Sequence, residues 1–233
     1  MPMHGKTLDF YQIYYKEEQR NQLYDFAIPY FNREISPYLE NSIIKSLVPS
    51  STADFISVSS WKLKQKRGSM PSIHVLGTSK LSKERILSCE FDVAILTPRI
   101  PGHKTLFMSQ HWHGKAWADS FSELSAFLER DLSIEVPNEL KFAIYENHFV
   151  AKGQIYRDYV FFCLIPVLEF MTKTNAFNGE SGYRNHKERL GDFESILDYE
   201  RSTGLVDWPI GVFLLERLFS IWINDKQLNV INL

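Results

Sequence analysis

The stretch WPIGVFLLERLFSIWI, from Trp208 to Ile223, is almost wholly apolar. A helix of this composition has to be buried on most of its sides, so the rest of the chain must enclose it. With 233 residues, the chain is long enough to build a substantial core as one large domain or two small ones. We therefore expect a globular protein in which this helix is largely buried.

Two opposite charges, Glu216 and Arg217, lie in the middle of this stretch. An α-helix advances by about 100° per residue, so Ser220 and Asn224 fall in the same arc as the two charges. These four residues, here called the polar stripe, face either water or a pocket that contains a ligand or partner charges. An unpaired buried charge is costly, so a buried stripe would need partners. From physical considerations alone, we expect the stripe to face water rather than a pocket.

Strand-like and helix-like segments alternate along the chain. Strand character marks FYQIYY, ADFISVSSW, FDVAILTP and both apolar halves of LKFAIYENHFVAK. Helical spacing marks SPYLENSIIKSLVPS, LSKERILSC, SFSELSAFLERDL and GQIYRDYVFFCLIPVLEFM, the last of which we expect to kink at Pro166. Such alternation is typical of an α/β domain with a mainly parallel sheet. Ligands of these sheets bind at the carboxyl ends of the strands.

Composition narrows the function classes. The net charge of −2 gives no basic excess for nucleic acid. The two cysteines, Cys89 and Cys163, form no CxxC motif, which suits a reducing compartment. No signal-peptide pattern and no run of about 18 apolar residues occurs, so we expect a cytoplasmic protein. The polar, glycine-punctuated stretch 172–207 is expected to be a mobile insertion.

Four phrases resemble, in order, segments of one family: ENSIIKSLVPSSTADFISVSSWKLKQK, CEFDVAILTP, FAIYENHFVAKGQIYRDYVFFCLIPVLEF and GVFLLERLFSIWI. The family comprises bacterial glycosyltransferase-like proteins of capsule and lipopolysaccharide gene clusters, which are related to the GT-A nucleotide-sugar transferases. The resemblance implies one domain over residues 1–233 with a Rossmann-like, GT-A-type α/β/α sandwich. It also implies transfer of a hexosyl group from a nucleotide-sugar donor to a polysaccharide or lipid-linked acceptor.

Three alternatives about function and partners stay open. A non-catalytic nucleotide-sugar or glycan-binding protein could share the same fold, and the aromatic content would also suit an interaction scaffold. Peripheral membrane association would follow if the acceptor is lipid-linked, because such acceptors lie at membranes.

Many GT-A enzymes hold Mn or Mg with an Asp-x-Asp motif after a central strand. Here the corresponding strand reads FDVAILTPRIPG and lacks that motif. If no divalent cation accompanies the nucleotide-sugar, cationic side chains would have to neutralise its diphosphate. The predicted basic loop KLKQKRG offers Lys62 and Lys64, as well as Lys66 and Arg67, after an aromatic platform at Trp61. The alternative is a basic loop that is merely solvated.

The polar break in YENHFVAK supplies further candidates. Asn147 matches the strand-end asparagine of the family and is predicted to bind sugar hydroxyls, while Glu146 or His148 is predicted to act as the base. A plain polar turn is the alternative.

The closing motif of the family contains Glu216, which would orient the acceptor or act as base, and Arg217, which would pair with it or reach phosphate. In the alternative interpretation, Glu216 and Arg217 form an ion pair that anchors the loop before the helix.

The remaining candidates are aromatic or histidine side chains. His111 and His113 would point the same way on a strand and could bind sugar or diphosphate. No cysteine accompanies them, so no protein metal site is predicted. Tyr14, at the end of the first strand, is also predicted to bind substrate.

Overall fold

A six-stranded mixed sheet organises the computed structural model, which describes residues 5–33, 39–69, 81–97, 105–142, 144, 147–174 and 210–233. The strands are β1 (Leu8–Tyr14), β2 (Ile28–Phe31), β3 (Phe55–Ser60), β4 (Val93–Ile95), β5 (Phe149–Lys152) and β6 (Val230–Asn232). Their order is β2-β1-β3-β5-β4-β6. Only β5 runs antiparallel to its neighbours among these strands. The other strands therefore end at the edge where β5 begins, here called the carboxyl rim.

Helices connect the strands. They are α1 (Glu40–Ser50), α2 (Leu63–Ser69), α3 (Lys83–Ser88), α4 (Thr105–Asp131), α5 (Gly153–Tyr159), α6 (Ile165–Lys173) and α7 (Ile210–Asp225). A 3-10 helix at Glu17–Gln22 follows β1, and a π-helical turn at Val160–Leu164 joins α5 to α6.

Side chains alternate between the two faces of the sheet, and each face is covered. On β4, Val93 and Ile95 enter a larger core with side chains of α1, α4, α5, α6 and α7, while Ala94 enters a smaller core. The smaller core also contains Leu63 of α2 and Ile86 of α3. The result is an α/β protein with a mixed central sheet between two layers, as the alternation of strands and helices predicts.

The apolar helix, the strands β1, β3 and β4, and the helix α3 agree with the sequence-based expectations. The strands β2 and β6 were not expected; β2 is half exposed, and neither strand has a long apolar run.

Three local predictions are wrong. The stretch KLKQKRG is helix α2 rather than a loop, because Leu63 anchors it in the smaller core. Helix α4 starts at Thr105, well before the predicted helical segment SFSELSAFLERDL. The first half of LKFAIYENHFVAK forms no strand at its described residues, because side chains of α7 satisfy its backbone in place of a neighbouring strand.

Pro166 interrupts no helix; the chain widens into the π turn just before it. A proline ring collides with the carbonyl four residues earlier, and the wider π turn relieves this crowding. Around this turn, Cys163 and Val167 are buried, whereas Phe162 is 68% exposed. The expected mobile insertion at 172–207 lies outside the described residues beyond Thr174.

Gly153 allows a close approach between the start of α5 and the start of β3. Its amide donates to the Asp54 carbonyl at 2.6 Å, and a Cβ built there would lie 2.1 Å from the Ala53 carbonyl oxygen. The clash partner is backbone, so it cannot rotate away.

We predict that Gly153→Ala lowers the free energy of unfolding by about 1–3 kcal/mol, because the added methyl overpacks this junction. Urea denaturation of both proteins measures the effect. Gly5→Ala is the matched control, since no atom lies within 4 Å of its Cβ position. Equal stability of the two variants would contradict the packing argument.

Candidate functional site

The polar stripe of α7 holds the chain that leads into β5, namely Lys141, Phe142 and Ile144, here called the lead segment. Ser220 Oγ accepts from the Ile144 amide at 2.8 Å and lies 3.2 Å from the Ile144 carbonyl oxygen. Asn224 Oδ1 accepts from the Lys141 amide at 2.8 Å, and its Nδ2 donates to the Phe142 carbonyl at 2.9 Å. Half of the stripe thus binds backbone, which is neither of the two alternatives drawn from the sequence.

The two charges lie one helical turn before Ser220. Arg217 Nη1 is 3.5 Å from Glu216 Oε2; the arginine side chain is 5% exposed and the glutamate side chain 23%. The lead segment runs opposite to α7, since Asn224 meets Phe142 and Ser220 meets Ile144. Glu216 lies one further turn back along α7, on the stripe whose Ser220 and Asn224 bind the lead segment. Phe219, which stacks on Phe149 at 3.9 Å between ring centroids, fixes the same alignment.

The start of β5 lies where the neighbouring connections diverge. After β3 the chain enters α2, whose Leu63 packs in the smaller core, and α4 after β4 packs Trp117 and Leu124 in the larger core. Open α/β sheets bind ligands in the crevice at such a switch point, outside the carboxyl ends of the strands. The candidate site is therefore the carboxyl rim around Asn147 and His148.

Serine side chains rather than ladder bonds connect β3 to this part of β5. The ladder pairs only Phe55 with Lys152 and Ile56 with Ala151. Beyond them, Ser57 Oγ donates to the Phe149 carbonyl at 2.7 Å and Ser59 Oγ to the Asn147 carbonyl at 3.1 Å. The two strands thus separate towards the carboxyl rim.

The predicted sugar-binding and base residues differ in exposure. Asn147 is half-buried, with its backbone carbonyl fixed by Ser59. His148 is 0% exposed, and its carbonyl accepts from the Leu96 amide at 2.9 Å. Glu146 lies outside the described residues. Of the two described members of this group, Asn147 is therefore the more exposed.

The basic stretch KLKQKRG follows β3 at the carboxyl rim as a helix rather than as the expected loop. Trp61 is half-buried and donates its amide to the Ile13 carbonyl at 2.9 Å, with Lys62 Nζ 5.7 Å from the centre of its ring. Lys64 instead turns to the Leu23 carbonyl at 3.5 Å. The side chain of Lys66 lies outside the described residues.

Arg67 is the cation of this stretch that binds at the ends of strands. Its Nη1 donates to the Leu96 carbonyl at 2.5 Å, just after β4, and to the backbone oxygen of Leu233 at 2.6 Å, just after β6. Burial lowers the pKa of its guanidinium; Tyr24 opposes this shift and the charge of Arg85 adds to it.

The structure gives no support to the predicted ligand contacts of the His111–His113 pair or of Tyr14. His111 and His113 belong to α4 rather than to a strand, and helical positions two apart are separated by about 200°, so they do not share a face. Their side chains lie outside the described residues. Tyr14 is buried and stacks on Phe31 with 5.0 Å between ring centroids.

Several buried polar groups at the rim were not singled out from the sequence. Gln12, Ser57 and Ser59 are all 0% exposed, and Gln12 Oε1 accepts from the Tyr24 amide at 2.6 Å. The alternation of serine with apolar residues in FISVSS was the available signal, because it places both serines on one face of a strand.

Metal and membrane features are absent from the part of the chain that the structure describes. No three His, Cys, Asp or Glu side chains there come together to hold a metal ion, so these residues form no protein site for Mn or Mg. No described helix has the length and apolar character needed to cross a membrane.

No family model matches this sequence, and no curated protein or solved structure matches it.

We predict that Asn224→Ala destabilises the protein by about 1–3 kcal/mol, because amides of the lead segment lose their acceptor. Hydrogen exchange should accelerate at Lys141 and Phe142, and urea denaturation gives the loss of stability. Asn229→Ala is the control, since the described structure gives that exposed side chain no hydrogen bond; its effect should stay within about 0.5 kcal/mol. Unchanged exchange at Phe142 would refute this role of the stripe.

Proposed function

We propose that this chain is a cytoplasmic glycosyltransferase, which binds a nucleotide-sugar at the carboxyl rim and transfers its sugar to a polysaccharide or lipid-linked acceptor. The observation that carries the proposal is the position of Asn147. This half-buried residue lies just before β5, at the switch point of the sheet. The resemblance of the surrounding sequence to the glycosyltransferase-like family supports the same assignment, including its GT-A-type fold.

The proposed roles follow from exposure and neighbours. Asn147 offers an amide that can donate to one sugar hydroxyl and accept from another. The Glu216 side chain is 23% exposed and lies one helical turn before Ser220, which binds the lead segment, so it is assigned as the base for the acceptor hydroxyl. His148 is too deeply buried to take that proton, and it is assigned to positioning the strand.

The aromatic platform of the proposed site is Trp61. Its half-buried ring lies at the end of β3 with Lys62 above it. A sugar or base ring can stack on the face of tryptophan, and a neighbouring cation suits a phosphorylated ligand.

A non-catalytic nucleotide-sugar-binding protein is the second candidate. It is favoured by the close approach of Glu216 to the buried Arg217, because a carboxylate that compensates a buried cation already has a structural role. The two candidates differ in turnover but not in binding.

A panel of nucleotide-sugars, tested by thermal shift with and without manganese, separates these functions. A ligand at about 100 times its Kd stabilises the folded state by about 2.7 kcal/mol, which raises Tm by several degrees. Ligands that stabilise the protein are then assayed for nucleotide release with glycan acceptors. Release supports the transferase, binding without release supports the second candidate, and no stabilisation by any nucleotide-sugar refutes both.

We predict that Asn147→Ala removes most of the ligand-induced rise in Tm while the Tm without ligand changes by no more than about 2 °C. The physical reason is the loss of an amide that pairs with sugar hydroxyls. Asn138→Ala, at an exposed position before the lead segment, should keep the full ligand response. A full response in Asn147→Ala would exclude Asn147 from the site.

A further inference from the structure

A cleft of about 380 Å³ lies at the edge of the sheet opposite the carboxyl rim, and it is here called the amino-rim cleft. It is located where β3 begins at Phe55 and β5 ends at Lys152, next to the start of α5. Every residue that lines it belongs to the described chain. Its volume falls within the range of small-molecule sites, about 300–1,000 Å³. Because Asn147 lies at the other end of β5, this inference does not rest on the proposed function.

Arg157, a half-buried residue of α5, brings a cation into this cleft. Its Nη1 donates to the Ser51 carbonyl at 2.9 Å and its Nη2 to Gln154 Oε1 at 3.4 Å, so both of its acceptors are neutral. A guanidinium has five N–H donors, and the other three of Arg157 have no acceptor among the described residues. Arg157 therefore has donors left for a ligand.

Two lysines also line the cleft, and each has a carboxylate within ion-pair distance. Lys6 Nζ lies 3.3 Å from Glu90 Oε1, and Lys152 Nζ lies 2.9 Å from Asp92 Oδ1. Glu90 lines the cleft as well, so its charge is matched by that of Lys6. The charges of both lysines are thus opposed by groups of the protein itself.

Asp54 is the remaining carboxylate among the residues that line the cleft, and it is directed towards Thr7. Its Oδ2 accepts from the Thr7 amide at 2.8 Å and from the Thr7 hydroxyl at 2.9 Å. These hydrogen bonds lower the pKa of Asp54, and the charge of Lys6 acts in the same direction. Among the residues that line the cleft, none forms an ion pair with Arg157. An anion that enters the cleft would supply this missing counter-charge.

The walls beside Arg157 are suited to the rest of such a ligand. A Cβ built at Gly153 would lie 3.0 Å from Arg157 Nη1, so the glycine leaves space around the guanidinium that a larger residue would fill. Phe55 and Phe91 also line the cleft, and their ring centroids are 5.0 Å apart. The cleft therefore combines a cation with an apolar wall, which is the usual composition of a small-molecule site.

We propose that the amino-rim cleft binds a small organic anion, whose phosphate or carboxylate group pairs with Arg157 and whose apolar part lies against Phe55 and Phe91. The planar fork of arginine matches the oxygens of both groups with two parallel hydrogen bonds. Charge alone does not replace this fork, so lysine is a poor substitute.

Titration of the full chain with phenyl phosphate and with benzoate, followed by proton–nitrogen NMR, tests the proposal. At least one anion should bind saturably, with a Kd of about 10 mM or lower, and shift the amide resonances of Gly153 and Gln154. The tighter of the two identifies the anionic group. Shifts that do not saturate, or that centre on Asn147 at the carboxyl rim, would overturn the proposal.

Benzyl alcohol separates the contribution of the anionic group from that of the ring. It has the same ring without the charge, so it should bind about fivefold more weakly or worse than the preferred anion. Equal binding of benzyl alcohol and the anions would show that Arg157 has no part in recognition, which would refute the proposal.

Arg157→Lys should weaken binding of the preferred anion by about tenfold, because it keeps the charge but loses the fork. Arg20→Lys is the matched control, since Arg20 is exposed on the 3-10 helix that follows β1 at the opposite rim. It should leave the affinity unchanged. Equal affinities of Arg157→Lys and the unmodified chain would contradict the assignment.

A further measurement does not depend on the folding of a variant. In the unmodified chain, the guanidinium resonances of Arg157 should shift on saturation with the preferred anion, because the ligand accepts from these groups. Unchanged guanidinium resonances at saturation would exclude Arg157 as the anion-binding residue.

Discussion

The hydrogen bonds between the polar stripe of α7 and the lead segment are the constraint on which the rest of the larger core depends. Backbone amides of a segment outside the sheet need partners once they are buried against a helix. Ser220 and Asn224 supply those partners from within an otherwise apolar helix. These hydrogen bonds offset the free-energy cost of placing polar side chains in a buried helix. They also fix the register of the helix against the chain that enters β5.

That register determines the shape of the carboxyl rim. The lead segment delivers β5 between β3 and β4 in the antiparallel sense, so the strand begins where its neighbours end. Ser57 and Ser59 then bond to its carbonyls at a point where the ladder has stopped. The start of this antiparallel strand thus places the half-buried Asn147 at the carboxyl rim.

Much of the fold could be predicted from local patterns, but the connections between distant segments could not. The apolar runs of β1, β3 and β4 and the spacing in α7 carry enough signal because their burial is nearly complete. Helix α2 was mistaken for a loop because a single apolar residue, Leu63, anchors it. The helical arc of the stripe was derived correctly, yet its partner is 76 residues earlier in the chain, and no local pattern indicates such a pairing.

The candidate site divides in the same way. The position of Asn147 next to a strand could be predicted from a polar break between apolar flanks, and its role as a ligand contact stays a prediction. The contacts of Arg67 could not, because they join the ends of β4 and β6, and β6 itself has little sequence signal. The two arginines then differ in what their surroundings allow. Arg217 is buried beside a carboxylate, so exchanging Glu216 would disturb the core as well as any chemistry. Arg67 is half-buried and donates to backbone oxygens of Leu96 and Leu233, so it joins the ends of β4 and β6.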